Sequence, residues 1–167
     1  MDIEGYASLF NIVDDGGDII LPGAFAASLK ESGAKGVRML FQHDPREPVG
    51  IWLSLVEDGR GLKVRGRLTQ GASRADDLAR LIEEGAIDGL SIGFRARAAG
   101  RDRRSGLRRL GSVELIEISL VTFPMLRSAR IRPPIISTET MKGSHDGLVR
   151  NQGRRSQTHE PRRGSRP

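Results

Sequence analysis

The sequence predicts a mainly β domain with flanking helices, an α+β chain built as a small, mostly antiparallel barrel or bent sheet. About seven short apolar runs, set between Gly, Asp and Pro turns, have strand character. Two helical patterns interrupt them but do not alternate regularly with the strands, which argues against a doubly wound parallel sheet. The 167 residues suit one domain with a real core.

Residues 3–10, Ile-Glu-Gly-Tyr-Ala-Ser-Leu-Phe, form the first expected strand. Asp14-Asp15-Gly16-Gly17 supplies turn chemistry, and Ile19-Ile20-Leu21 a short second strand. Pro22 and Gly23 lead into a helix over about 24–32, with Ala24, Phe25, Ala27, Ser28 and Leu29 in its apolar stripe and Gly33 as its stop. Val37 to Phe41 is a compact apolar strand that ends at Gln42-His43-Asp44-Pro45. Residues 49–56 make another strand, 57–61 a hairpin turn, and Leu62, Val64, Gly66 and Leu68 alternate with Lys63, Arg65 and Arg67.

The strongest helical pattern covers 74–84, with Leu78, Leu81 and Ile82 at helical spacing. Ser73 is its expected N-cap, Asp76 nearly completes a capping box, and Gly85 stops it. A strand over about 89–98 follows, then a basic turn from Gly100 to Gly106 that composition marks as mobile. Leu107 to Thr122 returns as one long strand or two shorter ones, ending at Phe123-Pro124. After Ile131 the apolar pattern is lost, so the chain divides into an ordered domain over 1–131 and a basic, disordered tail over 132–167.

Composition narrows the function classes. Aromatic content is only 4%, low for a fully folded chain, in keeping with a tail outside the core. There is no cysteine, so neither a disulfide scaffold nor a thiolate zinc site is available, and no cofactor is expected. No apolar run approaches the roughly 20 residues of a membrane span. Met1-Asp2-Ile3-Glu4 lacks a signal-peptide pattern, so cytoplasm is the expected location. Residues 132–167 hold eight Lys/Arg against three Asp/Glu, and residues 1–131 nineteen against eighteen. About +5 of the net charge of +6 therefore lies in the tail, and it does not call for a specific nucleic-acid partner.

Gly89-Leu90-Ser91-Ile92-Gly93-Phe94 organises the chemistry. By strand parity Leu90, Ile92 and Phe94 share one face, while Gly89, Ser91 and Gly93 leave the other bare except for one hydroxyl. A bulge or a close strand crossing would use the same pattern. His43 closes an apolar strand, where a histidine is also often structural or simply exposed. A serine hydroxyl needs an imidazole to take its proton, and the imidazole needs a partner to fix its tautomer. Glu114 and Glu117 interrupt the apolar run Val113–Val121, where a carboxylate must be functional or paired with an arginine.

Five blocks in order resemble the prohead (capsid maturation) proteases of tailed bacteriophages. They are Gly5-Tyr-Ala-Ser-Leu-Phe10, Leu21-Pro-Gly-Ala-Phe25, Gln42-His43-Asp44, Gly85-Ala-Ile-Asp-Gly-Leu-Ser-Ile-Gly-Phe94 and Glu117-Ile-Ser-Leu-Val-Thr-Phe-Pro124. The resemblance covers about residues 4–131 and implies a herpesvirus-protease-like β-barrel. It implies a serine endopeptidase with Ser91 as nucleophile, His43 as base and Glu117 as the acid, with Glu114 as runner-up. Parity favours Glu117, which shares a face with Ser119, over Glu114, which shares one with Ile116, Ile118 and Leu120. Family members often have Pro-Ala-Asn where this chain has Pro124-Met125-Leu126, a departure past the acid. The implied partners are the major capsid protein and its scaffold segment, a portal-containing prohead and further copies of the chain. The implied setting is the assembling prohead in the bacterial host, of a phage, prophage or gene transfer agent. A non-catalytic scaffold protein with the same fold is the alternative.

Overall fold

The computed structural model describes residues 1–132; the tail beyond Arg132 lies outside the described residues. Among the described residues there are eight strands and two helices. In chain order they are β1 (Asp2–Leu9), β2 (Asp18–Ile20), α1 (Ala26–Gly36), β3 (Arg38–Phe41), β4 (Asp44–Glu57) and β5 (Gly61–Leu68). Then follow α2 (Ser73–Glu83), β6 (Gly89–Arg101), β7 (Arg108–Val121) and β8 (Ile131–Arg132). The expected mostly β architecture is found, as one sheet curled into a half-barrel around the core.

Strand β7 is the hub. On one side it pairs antiparallel with β6, from Gly89 opposite Val121 to Arg101 opposite Arg108. Its other side is shared. β2 pairs in parallel with Arg108–Leu110, and β3 pairs in parallel with Glu117–Leu120. Between them the start of α1 takes the place of a strand: Val113 N–H donates to the Ala24 carbonyl at 2.9 Å and Leu115 N–H to Ser28 Oγ at 2.9 Å. The two parallel pairs depart from an all-antiparallel sheet. They arise because β2 and β3 run along one edge of β7 and need a helical crossover between them.

From β3 the sheet continues antiparallel through β4, β5 and β1 to β8. The segment around Arg130 then bonds to both ends of the curl. Tyr6 N–H donates to the Arg130 carbonyl at 3.2 Å, Leu90 N–H to the Ala129 carbonyl at 3.0 Å, and Ile131 N–H to the Asp88 carbonyl at 2.7 Å. This strap joins the β1 edge to the start of β6. β8 was not expected from sequence, because two residues carry no period. β4 begins at Asp44, earlier than the apolar run at Val49: Asp44 pairs with Phe41, residues 45–47 bulge, and pairing with β3 resumes at Pro48.

Phe25, Leu62, Leu78, Leu90, Leu110 and Ile118 are fully buried in one apolar cluster. Helix α2 contributes Ala75, Leu78 and Ile82, while Leu81 stays half-exposed. The expected serine cap is displaced by one residue: Ala72 occupies the N-cap without a side-chain bond, and Asp76 accepts from Gly71 N–H at 3.4 Å. The Gly100–Gly106 turn, expected to be mobile, is closed by the Asp102 carboxylate, which accepts from Arg104 N–H, Ser105 N–H and the Ser105 hydroxyl.

Candidate active site

β3 and β4 meet in a two-residue turn, Gln42-His43, with Phe41 opposite Asp44. Both turn residues take positive φ, 53° for Gln42 and 60° for His43. That backbone matches the twist of a tight hairpin but disfavours residues with a Cβ, at about 1–3 kcal/mol each. Contacts from β7 hold the turn. Gln42 N–H donates to the Leu120 carbonyl at 3.0 Å, the Gln42 side-chain amide donates to Thr122 Oγ1 at 2.7 Å, and His43 N–H donates to Ser119 Oγ at 3.1 Å.

The turn delivers the His43 ring to Glu117. Nδ1 lies 2.6 Å from Oε1, and the second carboxylate oxygen accepts the Ser119 hydroxyl proton at 2.7 Å. The bond to Glu117 raises the His43 pKa above its ordinary value, against the opposing effect of partial burial. With Nδ1 committed to a carboxylate, Nε2 is the nitrogen free to exchange a proton.

β6 brings the serine alongside. Ser91 lies opposite Ser119 in the ladder and Gly93 opposite Glu117, so these four positions share one face. A Cβ at Gly93 would overlap Glu117 Oε1 and come within 2.8 Å of its Cδ and Cγ, so the missing side chain makes room for the carboxylate. Ser91 is 5% exposed. Among the described residues its hydroxyl makes no hydrogen bond, and it is not fully enclosed. A narrow cavity of about 40 Å³ lies beside it, walled in part by Ile12, Ile20, Met125 and Leu126. A larger groove of about 640 Å³ between the end of α1, β3 and β4 contains none of these polar residues.

Contrary to the parity expectation, Glu114 lies on the same face as Glu117, because β7 bulges at Ile116 between them. It sits opposite Arg95, half-exposed, 3.8 Å from Arg95 and 3.9 Å from Arg97, away from His43. The structure thus brings Ser91, His43 and Glu117 into one neighbourhood and leaves Glu114 out. Sequence reasoning gave no role to Gln42 and treated Ser119 only as polar company for Glu117. The signal for Ser119 was its buried, two-residue spacing from a carboxylate; for Gln42 there was none beyond adjacency to His43. No group of three or more metal-ligating side chains converges among the described residues.

A family model described as caudovirus prohead serine protease matches residues 1–145. The chain is 45% identical over 133 residues to the prohead protease of Enterobacteria phage HK97, covering 77% of this chain and 57% of that protein. It spans 57% of the length of the curated relatives it matches. In fold it is similar to the capsid assembly protease of bacteriophage T4, with TM-score 0.60, 19% identity and coverage of 74% of this chain and 82% of that one. It is also similar to the KSHV protease in complex with a hexapeptide phosphonate inhibitor, with TM-score 0.51, 14% identity and coverage of 78% and 63%.

Proposed function

Because this chain belongs to the caudovirus prohead serine protease family, we propose that it is a serine endopeptidase of head maturation, with Ser91 as nucleophile, His43 as general base and Glu117 as the orienting acid. The observation that supports the triad most directly is the 2.6 Å contact between His43 Nδ1 and Glu117 Oε1, one strand from Ser91. In this reading Ser91 Oγ attacks the scissile carbonyl carbon as its proton passes to His43 Nε2. Glu117 accepts from Nδ1–H and stabilises the imidazolium. His43 then gives the proton to the leaving amine as the peptide C–N bond breaks. Water, deprotonated in turn by His43, hydrolyses the acyl ester and restores Ser91.

The substrates are the scaffold or scaffold-like segment of the major capsid protein and, finally, the chain itself, cut within the assembling prohead in the host cytoplasm. Names of relatives support this reading: one is a prohead protease and a structural neighbour is a capsid assembly protease. The test is co-expression with the neighbouring capsid gene and intact-mass measurement of every product. Ser91→Ala should give folded, full-length protein and uncut capsid subunits. Cleavage at the unsubstituted rate in Ser91→Ala would remove Ser91 as nucleophile.

A further inference from the structure

We propose that the far end of the β6–β7 hairpin is a docking arm for an acidic stretch of polypeptide. Residues 95–109 contain seven arginines, at 95, 97, 101, 103, 104, 108 and 109, against the single acid Asp102. Averaging over 1–131 hides this concentration, because acidic residues elsewhere in the domain balance it. Residues 95–106 are all exposed.

The fold tolerates this crowding at a cost. Arg101 lies directly opposite Arg108, and Gly100 opposite Arg109, on the two paired strands. Like charges placed opposite each other destabilise a ladder. Local carboxylates relieve only part of it: Arg97 forks onto Glu31 at 2.8 and 2.9 Å, and Arg108 binds Asp18. Asp102 is occupied in closing the turn. Among the described residues, Arg103, Arg104 and Arg109 form no ion pair, so three guanidinium groups cluster at the tip with their charge available.

The chemistry of the arm fits carboxylates. Guanidinium forks bind them in the two-pronged geometry that Arg97 already shows. No aromatic residue lies between Phe94 and Phe123, so the arm has no platform for stacking bases. The same two strands hold Ser91 and Glu117 at their other end. Ten residues of strand separate Ser91 from Arg101, about 30 Å at the usual rise. A polypeptide gripped at the arm by an acidic block is therefore held within reach of Ser91 by about ten extended residues; this use of the arm in cleavage rests on the peptidase reading above, whereas the binding does not.

The binding is tested in the full chain carrying Ser91→Ala, which cannot cut by the proposed route. Fluorescence anisotropy follows a labelled sixteen-residue peptide of alternating Glu and Gly. Adding R103Q/R104Q/R109Q should weaken binding about tenfold or more, and raised salt should weaken binding to the unsubstituted arm. The basic residues beyond Arg132 are present in both proteins, so the difference reports the arm. Unchanged affinity in the triple variant overturns the proposal. Duplex DNA of matched charge that displaces the peptide at lower concentration than unlabelled peptide also overturns it, in favour of a nucleic-acid partner. Cleavage of an uncharged peptide is measured in parallel with native Ser91. Lost binding with retained cleavage in the triple variant isolates the arm, and absence of cleavage in the unsubstituted chain would remove the peptidase reading while leaving the binding result standing.

Discussion

Gly93 matters through the side chain it lacks. Glu117 is pinned between His43 and Ser119 and leans over Gly93, so a methyl there must push the carboxylate off one partner. Gly93→Ala should keep the fold and lower the proposed cleavage rate by at least about tenfold, since a small misplacement of an orienting group is costly. An unchanged rate would show that Glu117 has room to spare. The pH profile belongs to the same three atoms. The proposed cleavage needs neutral His43, and Glu117 holds its pKa above the ordinary value of 6.5, so the rate should fall as pH drops through that raised value. Glu117→Gln should move the midpoint down toward the ordinary range and lower the rate by about 10⁴, whereas Glu114→Gln should change neither much. A midpoint that stays put in Glu117→Gln would detach the shift from this contact. Stability has the opposite sign. A pKa raised on folding favours the folded state below the unfolded value, and that contribution is lost as pH rises through the folded one.

Among the elements, α1 shows how a helix start can serve as part of a sheet. Ser28 is buried, and its hydroxyl oxygen accepts the Leu115 N–H at the gap between β2 and β3. Ser28→Ala leaves that backbone donor without a partner, which should cost about 1–3 kcal/mol in urea unfolding. A loss within error would mean that water replaces the hydroxyl. The sequence places Ser28 on the apolar, inward stripe of the helix, but not its bond to a strand backbone, which depends on a distant pairing. What sequence made legible was whatever a single strand or helix encodes alone. The alternation of Leu62, Val64 and Leu68 with Lys63, Arg65 and Arg67 is found inside and outside as read. Strand parity puts Glu117 and Glu114 on opposite faces, but β7 bulges at Ile116, so the two lie on one face, opposite Gly93 and Arg95. Only Glu117 meets the His43 ring, because Glu114 sits further along the strand beside Arg95 and Arg97. Pairing between distant elements was not legible. Nothing in Ile19-Ile20 or Met39-Leu40 states that both run parallel to β7, because an apolar run fits either direction. The Gly100–Gly106 turn reads as basic in sequence, but its extension by Arg108 and Arg109 on the opposite strand needs the pairing, and a charge balance taken over the domain averages it away.

At the scale of the whole molecule, the strap at 129–131 decides how the sheet curls, because it bonds to β1 and to the start of β6. Its close approach to β1 depends on Gly5. A Cβ there would overlap the Arg130 carbonyl oxygen and come within 3.0 Å of Arg130 C and Ile131 Cα, all backbone atoms that cannot rotate away. Gly5→Ala should therefore loosen the strap and cost about 1–3 kcal/mol, as overpacking does. Gly59→Ala, at an open position, should stay within about 0.5 kcal/mol. The loss should also be local. Leu90 N–H and Ile131 N–H bond through the strap, so their hydrogen exchange should quicken, while amides of the β4–β5 ladder keep their protection. Leu90 precedes Ser91, so the proposed cleavage rate should fall by more than the unfolded fraction accounts for. Uniform loss of protection across the sheet, with activity tracking stability alone, would mean that the strap contributes to global stability without holding the start of β6 in place.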